Sequence, residues 1–125
     1  MAVCGYKKQT GNDGESAAAQ YLLQNGYRIL ERNWHCKCGE LDIIATKGEI
    51  IAFVEVKTRK PNAIVSPLAA VNYQKQHRVI KSAEAYLACH TLDLQPRFDV
   101  AAVTKASGGM SVEYWAGAFD ASAAW

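Results

Sequence analysis

The residues best placed to do chemistry are Asp42, Glu55 and Lys57. In Glu55-Val56-Lys57 the two charged residues are two apart, so on an extended strand they share a face. They end a run, Ile50 to Val54, that is wholly apolar. A carboxylate or ammonium taken out of water there needs a partner. Each could satisfy the other, or a cation could satisfy the carboxylate. Asp42 brings a second carboxylate from the preceding apolar segment. Two carboxylates with backbone carbonyl oxygen form a hard donor set suited to Mg²⁺ or Mn²⁺. Such a cation activates water and offsets charge building on a phosphodiester. A neighbouring lysine can bind the phosphate or orient the water. On spacing alone, the same three residues also describe an ordinary surface ion-pair group.

Whether Asp42 joins the pair depends on a hairpin. Leu41 to Ala45 and Ile50 to Lys57 read as strands, and Lys47-Gly48 is a tight-turn signal. A two-residue loop at Lys47-Gly48 sets residue 42 opposite residue 53. A loop centred one residue later sets it opposite residue 55. Either register puts Asp42 on the face of Glu55 and Lys57, and a three-residue loop would put it on the other. The apolar run through Val56 suits a central strand covered on both faces.

The other elements follow from periodicity and punctuation. Thr10 to Asn25 reads as a helix, with Asn12 or Asp13 as its cap and Gly26 at its C′ position. Ala18, Ala19 and Leu22 fall on one helical face with Glu15, which therefore points toward the core side. From there Glu15 could join a metal shell directly or through water. Tyr27 to Asn33 is a strand, and Pro61 to Pro67 a loop, with Ser66-Pro67 able to start a short helical turn. Asn72 to Cys89 is a second long helix, with an apolar stripe of Val79, Ile80, Ala83 and Leu87. Phe98 to Val103 and Val112 to Trp115 are strands around a Gly108-Gly109 turn. The expected fold is mixed α/β: a five-stranded sheet flanked by helices, one domain over residues 1–125.

The chain has 125 residues, half of them hydrophobic, and a formal charge of +2. That size supports a single core. Net charge does not announce a nucleic-acid partner, but its distribution is uneven. Lys57, Arg59 and Lys60 are followed by Lys75, His77, Arg78 and Lys81, and no Lys or Arg follows Lys105. One basic face is expected, with Arg59, Lys60, Lys75 and Arg78 as phosphate contacts. A solvated charge run is the plainer alternative. No apolar run approaches the ~20 residues of a membrane span. Met1 to Thr10 lacks the apolar core of a secretory signal, so a cytoplasmic protein with reduced thiols at Cys4, Cys36, Cys38 and Cys89 is expected. His35, Cys36 and Cys38 are too tightly spaced for a zinc knuckle. Asp99 alternates with Phe98 and Val100 and is read equally as a partner of Arg97 or as a site residue. Trp34, Trp115 and Tyr114 read as core or edge residues before base-stacking platforms.

Gly39-Glu40-Leu41-Asp42 followed by Glu55-Val56-Lys57 resembles the motif of the PD-(D/E)XK nucleases, the restriction-endonuclease-like superfamily. Leu41 stands where that motif nominally has proline. Within the superfamily the chain resembles the small bacterial YraN family, which is similar to archaeal Holliday junction resolvases. The match runs nearly end to end, from Gly11 to Glu15 through Arg32-Asn33, Lys75 and Arg97-Phe98-Asp99-Val100 to Ala118-Phe119. It implies a restriction-endonuclease-like core with Asp42 and Glu55 as ligands of Mg²⁺ or Mn²⁺. It implies Lys57 as the catalytic lysine and Glu15 as the first-helix glutamate. Lys75 falls where an auxiliary polar residue follows the catalytic strand. The implied activity is endonucleolytic cleavage of structured or branched DNA. The alternative is a nucleic-acid-binding module that keeps the fold with weak or no cleavage. A homodimer is also implied, because a four-way junction has two equivalent scissile strands.

Overall fold

The computed structural model describes residues 13–61 and 71–121. Its elements are α1 (Asp13–Gln24), β1 (Arg28–Cys36), β2 (Gly39–Lys47), β3 (Ile50–Arg59), α2 (Tyr73–Cys89), β4 (Gln95–Ala106) and β5 (Gly109–Phe119). The predicted order of helix, three strands, helix, two strands is the observed one. The strands form one sheet in the order β1-β2-β3-β4-β5. Only β3 and β4 run parallel, and α2 makes the crossover between them. This is the mixed α+β architecture of the restriction-endonuclease-like fold.

The apolar run of β3 has the expected cause: it is buried on both faces. One face carries Ile51 and Phe53 into a cluster with Trp34, Leu41, Ile44, Phe98 and the α2 residues Val79, Ile80, Ala83 and Tyr86. The other carries Ala52 and Val54 into a cluster with Ile43, Ala45, Ala101, Val103 and the α1 residues Ala18, Ala19 and Leu22. Each helix therefore covers one side of the sheet with the stripe its periodicity predicts.

Element ends follow local chemistry. The α1 helix gives way to Gly26, whose φ of 87° is left-handed. Asn72 caps α2 by accepting a 2.8 Å hydrogen bond from the Lys75 backbone N–H. The predicted start of the first helix and the Ser66-Pro67 turn lie outside the described residues. One turn takes one of the two registers considered, and the other is displaced by one residue. Lys47 pairs with Ile50, so the β2–β3 loop is Gly48-Glu49, the second of the two registers considered. Ala106 pairs with Gly109, so the β4–β5 loop is Ser107-Gly108 rather than Gly108-Gly109.

Candidate metal and phosphate site

The site lies where the β1–β2–β3 ladder breaks. Pairing between β2 and β3 runs from Lys47–Ile50 to Ile43–Val54 and stops there. Continued, that register would set Asp42 opposite Glu55. Instead one Asp42 carboxylate oxygen accepts the Val56 backbone N–H at 2.9 Å. The side chain takes a donor that further pairing would have given to a β2 carbonyl.

The break has a partner in β1. Arg32 pairs with Ile43 and Trp34 with Leu41, which leaves Asn33 and Asp42 at the step between. Asn33 has φ of 54°, a left-handed conformation that asparagine tolerates better than most residues. Simple alternation also fails here. Leu41 packs on the α2 side of the sheet and Ile43 on the α1 side, although they are two apart. The backbone thus rotates at Asp42. Strand parity expects Asp42 beside Glu55; the rotation also brings its charge within reach of Glu15 on α1 and Lys75 on α2.

Glu55 is 4% exposed. Its pKa is pushed up to about 7, first by burial and then by the charge of Asp42, with Lys75 and Lys57 opposing. Burial likewise raises Asp42, against the Val56 hydrogen bond and the nearby Lys75. The Lys75 ammonium, on the first turn of α2, stands 3.4 Å from Glu55 Oε2. Lys57 follows Glu55 on β3, half-buried, close enough for its charge to favour both carboxylates.

Glu15 is buried, as its helical phase predicts. Its Oε1 accepts hydrogen bonds from Asn33 Nδ2 at 2.8 Å and Arg32 Nε at 3.2 Å. Burial raises its pKa, and the Asp42 charge raises it further, so Glu15 borders the same field. The structure does not gather it with Asp42 and Glu55 into a compact ligand set. Among the described residues no three His, Cys, Asp or Glu side chains are grouped closely enough to hold a metal. Close approach of α1 rests on Gly14, where an added Cβ would lie 2.5 Å from Thr58 Oγ1 on β3.

Other candidates divide cleanly. Arg59 bonds Thr104 and pairs with Glu113 at 2.6 Å, across to β4 and β5. Lys60 and Arg78 are exposed. Arg78 lies on α2 beside Gly39, three residues beyond Lys75. Asp99 is fully buried on the α1 side, bonded by Arg97 at 2.8 Å, by the Gly117 N–H at 2.9 Å and by the Tyr114 hydroxyl. Arg97 in turn reaches the Tyr27 hydroxyl. That network ties β4 to β5 and to the start of β1, away from the site. Cys36 is half-buried and Cys38 exposed, at the β1–β2 turn. Arg32 and Asn33 are the residues that site reasoning missed. The available signal was an asparagine inside a strand pattern, a type that strands disfavour unless the backbone deviates.

Residues 14–103 match the model of the "Uncharacterised protein family UPF0102". The chain belongs to this family. The matched span contains Glu15, Asp42, Glu55, Lys57 and Lys75. UPF0102 proteins from Clostridium tetani and a Synechococcus strain are 49% and 44% identical to it, over 76% and 86% of this chain and 79% and 83% of theirs. A UPF0102 protein from Myxococcus xanthus is 40% identical over 92% of both chains. UPF0102 is the YraN family that the motifs resemble. No helix among the described residues is long and apolar enough to cross a membrane.

Proposed function

We propose that this UPF0102 protein is a divalent-metal-dependent endonuclease acting on structured or branched DNA. The observation that carries the reading is the pair of carboxylates at the break between β2 and β3, Glu55 buried and Asp42 half-buried. Two carboxylates both raised by burial, Glu55 further by the charge of Asp42, form a hard, under-neutralised donor set, which fits Mg²⁺ or Mn²⁺. Mg²⁺ keeps several waters and often takes only one or two protein carboxylates, so a two-carboxylate set is sufficient. Glu15 would act on that shell through water or through Asn33.

When bound, the cation supplies charge neutralisation at the phosphate and a more acidic water. Lys57 places an ammonium beside both carboxylates, where it donates to the attacking water or to a phosphate oxygen. Lys75 and Arg78 lie on successive turns of α2 and present further positive charge to a phosphate backbone. Arg59 is committed to Glu113 in this structure, so Lys60 is the freer phosphate contact at the end of β3. The branched-DNA substrate and a homodimeric assembly rest on the resemblance to junction resolvases.

The test is a cleavage panel of duplex, flap and four-way-junction DNA, with RNA, in Mg²⁺ or Mn²⁺. Metal-dependent nicking, lost in Asp42→Asn and strongly slowed in Lys57→Ala, supports the enzyme. Salt-sensitive DNA binding that survives both changes without cleavage supports the binding module instead.

A further inference from the structure

Neutralisation of the site by its own lysine bears on how a cation and a phosphate enter. Glu55 is 4% exposed, and its Oε2 faces the Lys75 ammonium at 3.4 Å. Lys75 itself is a quarter exposed and stands on the first turn of α2, where Asn72 fixes the backbone. Its head group therefore joins the buried Glu55 carboxylate to the open surface. A divalent cation on Asp42 and Glu55 would repel this ammonium and compete with it for Oε2. The long, flexible lysine stem lets the head group swing outward without moving the helix. Arg78, one turn further along α2, marks the direction in which it would meet a phosphate.

We propose that Lys75 is a displaceable counter-ion: it neutralises Glu55 until a divalent cation arrives, and the displaced ammonium then binds the DNA backbone. This rests on the metal-site reading above and adds a coupling to it. Metal binding and phosphate binding each favour the same movement of Lys75, so each strengthens the other. Such linkage is reciprocal by thermodynamic necessity.

The experiment measures Mn²⁺ affinity by calorimetry on the full chain without DNA. It then measures four-way-junction DNA binding, with and without Ca²⁺ as a divalent cation. Wild type, Lys75→Met and Lys75→Arg are compared, with circular dichroism as the check on folding. Lys75→Met removes the competitor, so Mn²⁺ should bind about fivefold tighter or more, the lower end of ordinary coupling energies. The same variant should lose most of the increase in DNA affinity that Ca²⁺ gives wild type. Lys75→Arg keeps the charge and should restore competition with Mn²⁺. Wild type that binds Mn²⁺ while Lys75→Met binds it equally or more weakly overturns the counter-ion role alone. Wild type that binds no Mn²⁺ overturns the metal-site reading and this inference with it.

Discussion

Neutralising Glu55 should stabilise the metal-free protein. The folded-state pKa of Glu55 is about 7, against an ordinary value of 4.5. Because it is raised, the folded protein holds its proton more tightly than the unfolded chain does. Stability is therefore highest below about pH 4.5, falls as pH rises toward 7, and levels off above it. A difference of that size corresponds to about 3 kcal/mol at pH 8. The side chain is almost fully buried, so solvent screens little of it. Glu55→Gln keeps the shape and removes the charge. Its gain over wild type should grow from about 1 kcal/mol at pH 5 to about 3 kcal/mol at pH 8, the latter roughly 10 °C in Tm for a domain of this size. The assay is urea unfolding in chelator and reducing agent at several pH values, repeated with Mn²⁺. Added Mn²⁺ should stabilise wild type and leave Glu55→Gln unmoved. If Glu55→Gln were less stable than wild type at pH 8, the electrostatic account of the site would be wrong. A pH-independent difference would refute it equally.

Two further predictions test how the site is positioned. Asp99→Ala leaves the Arg97 charge and the Tyr114 hydroxyl without their buried partner, and should cost about 3–5 kcal/mol in urea unfolding. Mn²⁺ affinity should be unchanged, because the network holds β4, β5 and Tyr27 rather than the carboxylates. Gly14→Ala forces a methyl group against Thr58 and should cost about 1–3 kcal/mol by thermal unfolding. If its stability matched wild type, close packing of α1 on β3 would not be what sets Glu15 in place.

The sequence carries the fold wherever one local signal decides. Apolar stripes marked the packing faces of α1 and α2, and the run from Ile50 to Val54 marked the central strand; which side of the sheet each helix takes is seen only in the structure. Helical phase alone turned Glu15 inward. The hairpin register was legible to within one residue. It could not be fixed further, because Lys47-Gly48 and Gly48-Glu49 are both acceptable turns. The rotation at Asp42 was not legible, since it arises from Asn33 on the neighbouring strand and from the ladder ending at Ile43–Val54. Parity kept Asp42 near Glu55 but could not show its carboxylate taking the Val56 N–H. Arg97 and Asp99, two apart on one strand, were readable as a pair. Tyr27 and Tyr114 completing that network were not, nor was Glu113 engaging Arg59, because those partners come from distant parts of the chain.

The central claim is that Asp42, Glu55 and Lys57 form a working metal-dependent nuclease site. Cleavage of four-way-junction, flap and duplex DNA in Mn²⁺, compared among wild type, Asp42→Asn and Lys57→Ala, tests it most directly. Wild type should nick at least one substrate only when the divalent cation is present. Asp42→Asn should lose Mn²⁺ binding and cleavage together. Lys57→Ala should still bind Mn²⁺ and cleave about 10²–10³-fold more slowly, as when one charge-stabilising donor is removed. Clean inactivity of folded, Mn²⁺-binding wild type across the panel, with RNA included, would contradict the claim.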